Sequence, residues 1–339
     1  MEFVDSKKTG KEVAVKGPVC VTGASGYLAS WLVKRLLSSG YHVIGTVRDP
    51  GNCRKVEHLW KLEGAQERLQ LVKANLMEEG SFDYAIMGCV GVFHTASPVT
   101  GVSDDPKGKV LDPAINGTLN VLRSCKKNPT LERVVITSSS AAVRIRKDAI
   151  DPNIHLDEFS WSNVDVDFCQ RFKVWYSLSK TLAERAAWEF AKENKIDLVT
   201  VLPSFIVGPS LPTDLSPTAS DILALLRGES VKFSWYGRMG YVDIDDVARS
   251  HILVFEDPSA EGRYLCSSSV LDSHELASFL AKRYPYLPIP KRFEIPVGNA
   301  LYYEFNTSKL CNLGFKFKGM EEMFDDCIAS LKEQGHIPY

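Results

Sequence analysis

The stretch TGASGYLAS at residues 22–30 constrains the fold of this chain more than any other feature of the sequence. It lies between a short apolar run, VCV, and an amphipathic run, YLASWLVKRLLSSG. Gly23 permits a tight turn, Gly26 lets the backbone approach a phosphate closely, and Ala29 is small enough for a helix to pack near a strand. Free N–H groups at the start of that helix would bind the anion. The stretch therefore predicts a strand, a phosphate-binding turn and a helix.

The alternation of strand and helix continues along the chain. Runs rich in β-branched residues recur at YHVIGTVRD, RLQLVKA, GVFHTA, RVVITSS and DLVTVLP. Helical patterns separate them around residues 79–88, 107–128 and 170–193. This order predicts an α/β fold with a doubly wound parallel sheet.

The texture of the sequence changes after Pro203, where proline- and serine-rich loops begin. A strand-like run, MGYVDIDDV, follows, with helical patterns near residues 219–227, 272–284 and 319–334. We predict a flexible N-terminus at residues 1–17 and a dinucleotide-binding domain at residues 18–203. Residues 204–339 are expected to form mainly a smaller substrate-binding lobe, with some segments returning to the first sheet.

Charge and composition exclude several classes of partner. Among 339 residues, 40 Lys plus Arg stand against 42 Asp plus Glu, a net charge of -2, so neither nucleic acid nor an anionic membrane is indicated. We expect a small-molecule ligand. No segment reaches the roughly 18 apolar residues of a membrane span, and the charged start is not a signal peptide. Eight cysteines without a CxxC pair predict reduced thiols in the cytoplasm, and seven histidines without ligand spacing predict no metal site.

The end of the second strand indicates which dinucleotide would bind. An acidic residue here usually accepts the ribose hydroxyls of NAD, but the first polar residue is Arg48, followed by Lys55. Cations suit a 2′-phosphate, so we predict NADPH. Asp49 leaves dual specificity open, and Arg48 could instead be a solvated residue at a strand end.

The stretch WYSLSK, at residues 175–180, places Tyr176 and Lys180 on one face of a helix. A nearby ammonium favours the phenolate and makes a phenol a usable acid and base. In a carbonyl reduction Tyr176 would give its proton to the carbonyl oxygen, while Lys180 tunes it and binds the nicotinamide ribose. A hydroxyl must also hold that oxygen, and Ser139 is chosen from the run Ser138 to Ser140 at the carboxyl edge of the sheet.

These three features, in this order, resemble the extended branch of the short-chain dehydrogenase/reductase superfamily. The stretches VCVTGASGYLASWLVKRLL, GVFHTASPV and LVTVLPSFIVGPSL look like the plant group of dihydroflavonol reductases, cinnamoyl-CoA reductases and related aldehyde reductases. The resemblance covers Val19 to about Gln334. It implies that catalysis depends on Ser139, Tyr176 and Lys180. It implies that NADPH is bound by Gly23, Ala24, Ser25, Gly26, Tyr27, Leu28, Ala29, Arg48, Lys55, Asn75, Leu76, Thr95, Ala96, Ser97, Pro203, Ser204, Phe205 and Ile206. Asn75 departs from the Asp that is more usual against the adenine amine, although an amide oxygen also accepts.

Three departures separate the chain from the best-known members of that group. VWYSLSK replaces the NWYCYGK of cinnamoyl-CoA reductases, and Leu223 and Leu226 stand where those enzymes use a His and a Lys for the CoA portion. Arg144 stands where dihydroflavonol reductases carry an Asn.

Other stretches, LRSCKKNPTLERVVITSSS and LPSFIVGPSLPTDLSPTASDILALLRGE, are very similar to the tetraketide alpha-pyrone reductases of the plant pollen-wall pathway. This resemblance implies reduction of a ketone on a hydrophobic polyketide pyrone, made from a fatty acyl starter, for sporopollenin. Association with other pathway enzymes, at the cytosolic face of the endoplasmic reticulum, is left open.

Substrate contacts are expected from Arg144, five residues beyond Ser139, and from apolar residues of the second lobe. Those apolar residues either line a channel for the fatty chain or form the core of the lobe, and they are Phe205, Leu211, Leu223, Leu226, Phe233, Trp235 and Tyr241.

Rival functions remain open at this point. One is reduction of aromatic aldehydes such as cinnamaldehyde or phenylacetaldehyde, or of a cinnamoyl-CoA-like phenylpropanoid. A second is a non-catalytic NADP-binding sensor, which would not need Tyr176 and Lys180. A third is a nucleotide-sugar epimerase or dehydratase, which generally needs further acid/base groups beside the serine.

Overall fold

The computed structural model describes residues 16–97, 105–146, 155–163, 165–172, 174–294 and 302–337. The predicted flexible N-terminus lies outside them except for its last two residues. The strands are β1 (Lys16–Thr22), β2 (Tyr41–Val47), β3 (Leu69–Lys73), β4 (Gly91–His94), β5 (Arg133–Thr137), β6 (His155–Leu156), β7 (Leu198–Pro203), β8 (Phe205–Val207), β9 (Arg238–Asp243), β10 (Gly262–Cys266), β11 (Ser269–Asp272) and β12 (Glu304–Phe305).

Helices connect most of these strands. They are α1 (Tyr27–Ser38), α2 (Cys53–Trp60), α3 (Ala65–Arg68), α4 (Asp83–Ile86), α5 (Asp112–Lys127), α6 (Ala141–Arg144), α7 (Val166–Phe172), α8 (Trp175–Asn194), α9 (Pro217–Leu226), α10 (Val231–Tyr236), α11 (Ile244–Glu256), α12 (Ser273–Arg283), α13 (Ser308–Asn312) and α14 (Met320–Glu333). A π-helical turn, Lys107–Leu111, leads into α5. No helix of the described ranges is both long and apolar enough to cross a membrane.

Within the described residues, seven strands form one parallel sheet in the order β10-β7-β5-β4-β1-β2-β3. Strands β4 and β7 are buried along their whole length because helices cover both faces of the sheet. The order reverses between β1 and β4, so a crevice opens at the carboxyl ends of these two strands. The predicted doubly wound α/β fold is confirmed.

The second lobe is built on a smaller sheet in the order β11-β9-β8. A separate apolar core joins this sheet to α9, α10, α12 and α14. Two later segments do not belong to this lobe. Strand β10 pairs with β7 at the edge of the large sheet, and α11 packs in the same buried core as α1.

The strand-like run MGYVDIDDV is strand only as far as Asp243, so the expectation of one continuous strand is wrong there. The Asp243 side chain accepts hydrogen bonds from the N–H groups of Asp245, at 2.9 Å, and Asp246, at 3.3 Å. This is an N-cap, which satisfies amides that a new helix leaves without acceptors. Helix α11 therefore begins at Ile244 despite the β-branched residues around it.

Candidate active site

The glycine turn joins β1 to α1 at the crevice. Gly23 has a φ of 68°, which glycine adopts without strain, and a Cβ there would lie 3.1 Å from the Cβ of Ala96. The Thr22 hydroxyl accepts hydrogen bonds from the N–H groups of Thr95 and Ala96, both at 3.1 Å. The structure thus brings the predicted glycine turn and the predicted loop after β4 into direct contact.

Helix α1 starts with free backbone donors that fit a dinucleotide pyrophosphate. Gly26 is the exposed N-cap residue, and no side chain caps the helix. The first N–H groups, those of Tyr27 and Leu28, have no acceptor within the helix. Because Gly26 has no side chain, an anion can approach these donors closely. The backbone of this turn is therefore suited to binding the pyrophosphate of a dinucleotide.

The side chains of the turn mostly point elsewhere. Ala24, Leu28 and Ala29 are buried in the core between α1 and the sheet. The Tyr27 hydroxyl donates a hydrogen bond to the carbonyl oxygen of Gly208, at 2.8 Å, and Ser25 is half-buried. These predicted cofactor-binding residues can therefore contact a ligand mainly through their backbone groups.

The two predicted phosphate-binding cations differ in their surroundings. Arg48 is exposed at the end of β2, and no ion pair joins it to a carboxylate of the described residues. Lys55 pairs with Asp214, which also pairs with Arg54 at 3.1 Å. The Lys55 ammonium lowers the pKa of the Asp214 carboxyl. A 2′-phosphate at the end of β2 would therefore meet Arg48 first.

The predicted adenine-side residues form a local turn after β3. The Asn75 amide oxygen accepts from the N–H of Met77, at 3.1 Å, and its amide nitrogen donates to Glu78, at 2.7 Å. An amide oxygen has a second lone pair, so it can accept once more. Leu76 is half-buried and lies against the backbone of Gly117 in α5.

Tyr176 and Lys180 occupy the first two turns of α8. This helix begins at Trp175 after its N-cap residue Val174, so the predicted 170–193 pattern spans the end of α7 and most of α8. Tyr176 is 44% exposed, whereas Lys180 is 9% exposed. The Lys180 Nζ lies 5.9 Å from the centre of the Tyr176 ring and 3.5 Å from the carbonyl oxygen of Thr137. The ammonium is therefore near both the Tyr176 ring and the carboxyl end of β5.

The three serines after β5 have different partners. The Ser138 hydroxyl donates to Glu184 at 2.6 Å and faces the interior. The Ser139 hydroxyl accepts from the N–H of Ala141 at 3.1 Å, which leaves its proton free to donate. Ser140 is the N-cap residue of α6, and its N–H is bonded to the carbonyl oxygen of Pro203 at 2.9 Å. These contacts favour Ser139 over Ser138 as the donor to a substrate.

A cavity of about 20 Å³ lies behind Lys180, with Ser97 and Ser138 in its wall. This volume can hold one water molecule. His94, also in the wall, is bonded to the Thr22 hydroxyl at 2.9 Å, and burial lowers the pKa of His94 to about 3. A neutral imidazole therefore stands beside the ammonium.

The segment after β7 leads from the large sheet into the second lobe. Ser204 donates its N–H to the carbonyl oxygen of Cys266 at 3.0 Å, and its hydroxyl is buried without a hydrogen-bond partner among the described residues. Ile206 packs against the first core, and Phe205 belongs to the second. Pro203 and Ser204 thus lie at the carboxyl end of β7, in the half of the sheet that contains β4 and β5.

The predicted apolar substrate residues are mainly core residues of the second lobe. Leu226 and Phe233 are each 1% exposed and Leu223 is 7% exposed, so of the two alternatives the structure has the packed core. The two leucines are buried because α9 is amphipathic and packs its apolar face against the small sheet. Tyr241 is buried, but its hydroxyl has no hydrogen-bond partner among the described residues. The Arg144 guanidinium lies near the hydroxyls of Tyr303 and Tyr241.

Two buried charged residues beside the site are absent from the sequence prediction. Glu184 lies one turn beyond Lys180 on α8, and Arg263 pairs with it from β10 at 2.8 Å. The spacing Tyr176, Lys180, Glu184, with four residues at each step, is the signal that could have identified Glu184. Nothing in the sequence identifies Arg263 as its partner, 79 residues away.

The chain is similar to a known protein family and to a known reductase. Residues 19–265 match the model of the "NAD dependent epimerase/dehydratase family". The chain is 69% identical to tetraketide alpha-pyrone reductase 1 of Arabidopsis thaliana over 322 residues, covering 95% of this chain and 97% of that protein.

Two solved structures share the fold over nearly the whole chain. Vestitone reductase from alfalfa (Medicago sativa L.) has a TM-score of 0.80 and 38% identity, with 95% of this chain and 100% of that chain covered. Yeast methylglyoxal/isovaleraldehyde reductase Gre2 complexed with NADPH has a TM-score of 0.82 and 29% identity, with 94% and 100% covered.

Proposed function

Because the chain belongs to the NAD dependent epimerase/dehydratase family, we propose that it is an NADPH-dependent carbonyl reductase of a fatty-acyl-derived tetraketide alpha-pyrone. The reaction converts a ketone into an alcohol, which serves as a precursor of sporopollenin in the pollen wall. The 69% identity to a tetraketide alpha-pyrone reductase over almost the entire chain supports this choice of substrate.

The observation that carries the proposal is the position of the Lys180 ammonium. It lies 5.9 Å from the centre of the Tyr176 ring and 3.5 Å from the carbonyl oxygen of Thr137, the residue before the serine run. These contacts support a site at the carboxyl edge of the sheet, where ligands of such folds bind. Neither a cofactor sensor nor a purely structural helix requires this arrangement.

The residues of the site divide the chemistry between them. NADPH, when bound, supplies a hydride for the carbonyl carbon. Tyr176 transfers its hydroxyl proton to the carbonyl oxygen, and Ser139 donates a hydrogen bond to the same oxygen. The Lys180 ammonium, 5.9 Å from the centre of the Tyr176 ring, would hydrogen-bond the nicotinamide ribose of a bound NADPH.

Cofactor binding falls to the backbone of the glycine turn and to Arg48. The free N–H groups at the start of α1 suit the pyrophosphate. Arg48 suits the 2′-phosphate, because guanidinium groups bind phosphates through two parallel hydrogen bonds. Lys55 is secondary, since Asp214 already pairs with it. The solved Gre2 structure with NADPH, a reductase of the same fold, supports this choice of cofactor.

Arg144 is the proposed contact for the pyrone ring. It ends α6, five residues after Ser139, and lies near the Tyr303 hydroxyl. The buried Tyr241 hydroxyl near it lacks a hydrogen-bond partner in the described part of the chain. A buried polar group without a partner is costly, so a substrate oxygen at this point would gain free energy.

The test is oxidation of NADPH measured side by side with an alkyl pyrone ketone, cinnamaldehyde and cinnamoyl-CoA. We expect the highest kcat/KM for the pyrone ketone. Higher values for cinnamaldehyde would replace the pyrone with an aromatic aldehyde and leave the reductase chemistry intact. Tight binding of NADPH with no turnover of any carbonyl would indicate a sensor.

A cytosolic location, at the face of the endoplasmic reticulum beside other enzymes of the pathway, stays a prediction. The cysteines are all free thiols, which agrees with a reducing compartment. Imaging of a fluorescent fusion, together with co-purification of neighbouring enzymes, tests the location and the association separately.

A further inference from the structure

Glu184 lies on the same face of α8 as the catalytic pair, because residues 176, 180 and 184 are four apart. It is 2% exposed. Its carboxylate accepts hydrogen bonds from β7, from β10 and from the loop after β5, as well as from its own helix. The donors are Ser138 at 2.6 Å, Arg263 at 2.8 and 3.2 Å, Thr200 at 2.9 Å and Trp188 at 3.4 Å.

The Arg263 guanidinium also makes several contacts. Besides its two bonds to the carboxylate, its guanidinium donates to the carbonyl oxygens of Glu158 and Ser160, at 2.8 and 2.6 Å. It also lies 3.7 Å from the centre of the Trp161 ring. The ion pair therefore ties the middle of α8 to the edge strand β10 of the large sheet.

Stability alone is a weak explanation for such a pair. Removing two charges from water costs about as much as their attraction returns, so apolar residues of similar size often serve equally well. Buried ion pairs are better explained where they hold two elements in a fixed relative position. Here the two elements would be α8 and the end of β5.

The link to the catalytic groups passes through Ser138. Its hydroxyl is bonded to Glu184, and its N–H is bonded to the carbonyl oxygen of Val201 at 2.8 Å. Ser138 is flanked by Thr137, whose carbonyl oxygen contacts Lys180, and by Ser139. A shift of Ser138 would therefore move both the Lys180 contact and the Ser139 hydroxyl.

We propose that Glu184 is a positioning residue for the carbonyl reduction, acting through Ser138 on Ser139 and Lys180. It turns the first serine of the run inward, so that the second presents its hydroxyl to the substrate. It also sets the rotation of α8, and with it the direction of Tyr176. The inference rests on the proposed reductase function of this site.

Two variants of the donors to Glu184 separate positioning from stability. Ser138→Ala and Thr200→Val each remove one hydroxyl bonded to the same carboxylate, but only Ser138 adjoins the catalytic serine. We expect Ser138→Ala to lower kcat by about 10- to 100-fold, the cost of a small misplacement of reacting groups. The dissociation constant of NADPH, measured by fluorescence, should stay unchanged. Thr200→Val should keep kcat near the wild-type value at a similar loss in Tm.

Equal kcat values for the two variants would overturn the proposal, and so would a wild-type kcat in Ser138→Ala. Glu184→Gln is a second test, because it keeps the size of the side chain but leaves Arg263 without its charge partner. If it folds, we expect kcat to fall by a larger factor than in Ser138→Ala, again with unchanged NADPH affinity. If it does not fold, the comparison of Ser138→Ala with Thr200→Val decides. A wild-type protein that reduces no carbonyl at all would instead refute the proposed function.

Discussion

Adding a methyl group at each of three glycines separates backbone strain from cofactor contact. Gly23 has a φ of 68°, Gly88 has a φ of 81° and Gly26 has a φ of -76°. For a residue other than glycine, left-handed backbone costs about 1–2 kcal/mol. Gly23→Ala and Gly88→Ala should therefore each lower the free energy of unfolding by about that amount. Gly26→Ala carries no such strain, so its effect on stability should be smaller.

The surroundings of the added methyl groups predict a different order for cofactor binding. At Gly88 nothing lies within 4 Å of the new Cβ. At Gly23 the Cβ lies 3.1 Å from the Cβ of Ala96, so the turn and the loop after β4 must move apart slightly. At Gly26 the Cβ lies 3.2 Å from the carbonyl oxygen of Gly23 and projects at the exposed start of α1, where the pyrophosphate is expected.

The assay pairs urea unfolding with fluorescence titration of NADPH. Gly26→Ala should weaken NADPH binding by about tenfold or more, equivalent to about 1.4 kcal/mol, with little change in stability. Gly88→Ala should show the reverse, and Gly23→Ala should show both losses. Unchanged NADPH affinity in Gly26→Ala would refute the assignment of this turn as the phosphate site.

Further substitutions test the expected roles of Arg48, Lys55, Arg144 and Asp243. Arg48→Gln should weaken NADPH binding by about 10- to 100-fold and leave NADH binding unchanged, since hydrogen bonds to charged groups contribute about 1.5–3 kcal/mol. Lys55→Gln should have a smaller effect because its partner is Asp214, and the reverse ranking would contradict this. Arg144→Ala should raise KM for the pyrone ketone but not for a simple aldehyde, and unchanged kinetics would dismiss the contact. Burial raises the pKa of the Asp243 carboxyl from an ordinary 3.8 to about 6. The protonated carboxyl therefore stabilises the fold at low pH. This contribution to the free energy of unfolding is lost as the pH rises through about 6. Asp243→Asn keeps a capping oxygen and should therefore gain stability over the wild type between about pH 5 and about pH 8, by about 1.4 kcal/mol; parallel pH curves in chemical denaturation would contradict it.

Local patterns predicted the parallel sheet and its first helix because each of their signals is short. The glycine turn, the β-branched strands and the apolar face of α1 all act within a few residues of the chain. The same reasoning missed α11, since β-branched residues around its start look like a continued strand. The deciding contact was the cap at Asp243, whose effect depends on side-chain geometry.

The candidate site could be proposed from the sequence where its chemistry follows from spacing in one element. Tyr176 and Lys180 are four apart on one helix, and the serine run ends one strand. Contacts between distant segments were not predictable in the same way. Lys55 and Asp214 are 159 residues apart, and Glu184 and Arg263 are 79 residues apart. No periodicity in a sequence specifies such partners.

The most direct test of the account is the turnover of Tyr176→Phe, which removes one hydroxyl and leaves the ring beside Lys180. Tyr84→Phe, at a 74% exposed tyrosine, is the matched control. We expect Tyr176→Phe to lose about 100- to 10,000-fold in kcat for the pyrone ketone while NADPH affinity stays constant, because proton transfer to the carbonyl oxygen is lost. Turnover in Tyr176→Phe equal to that of the control would contradict it.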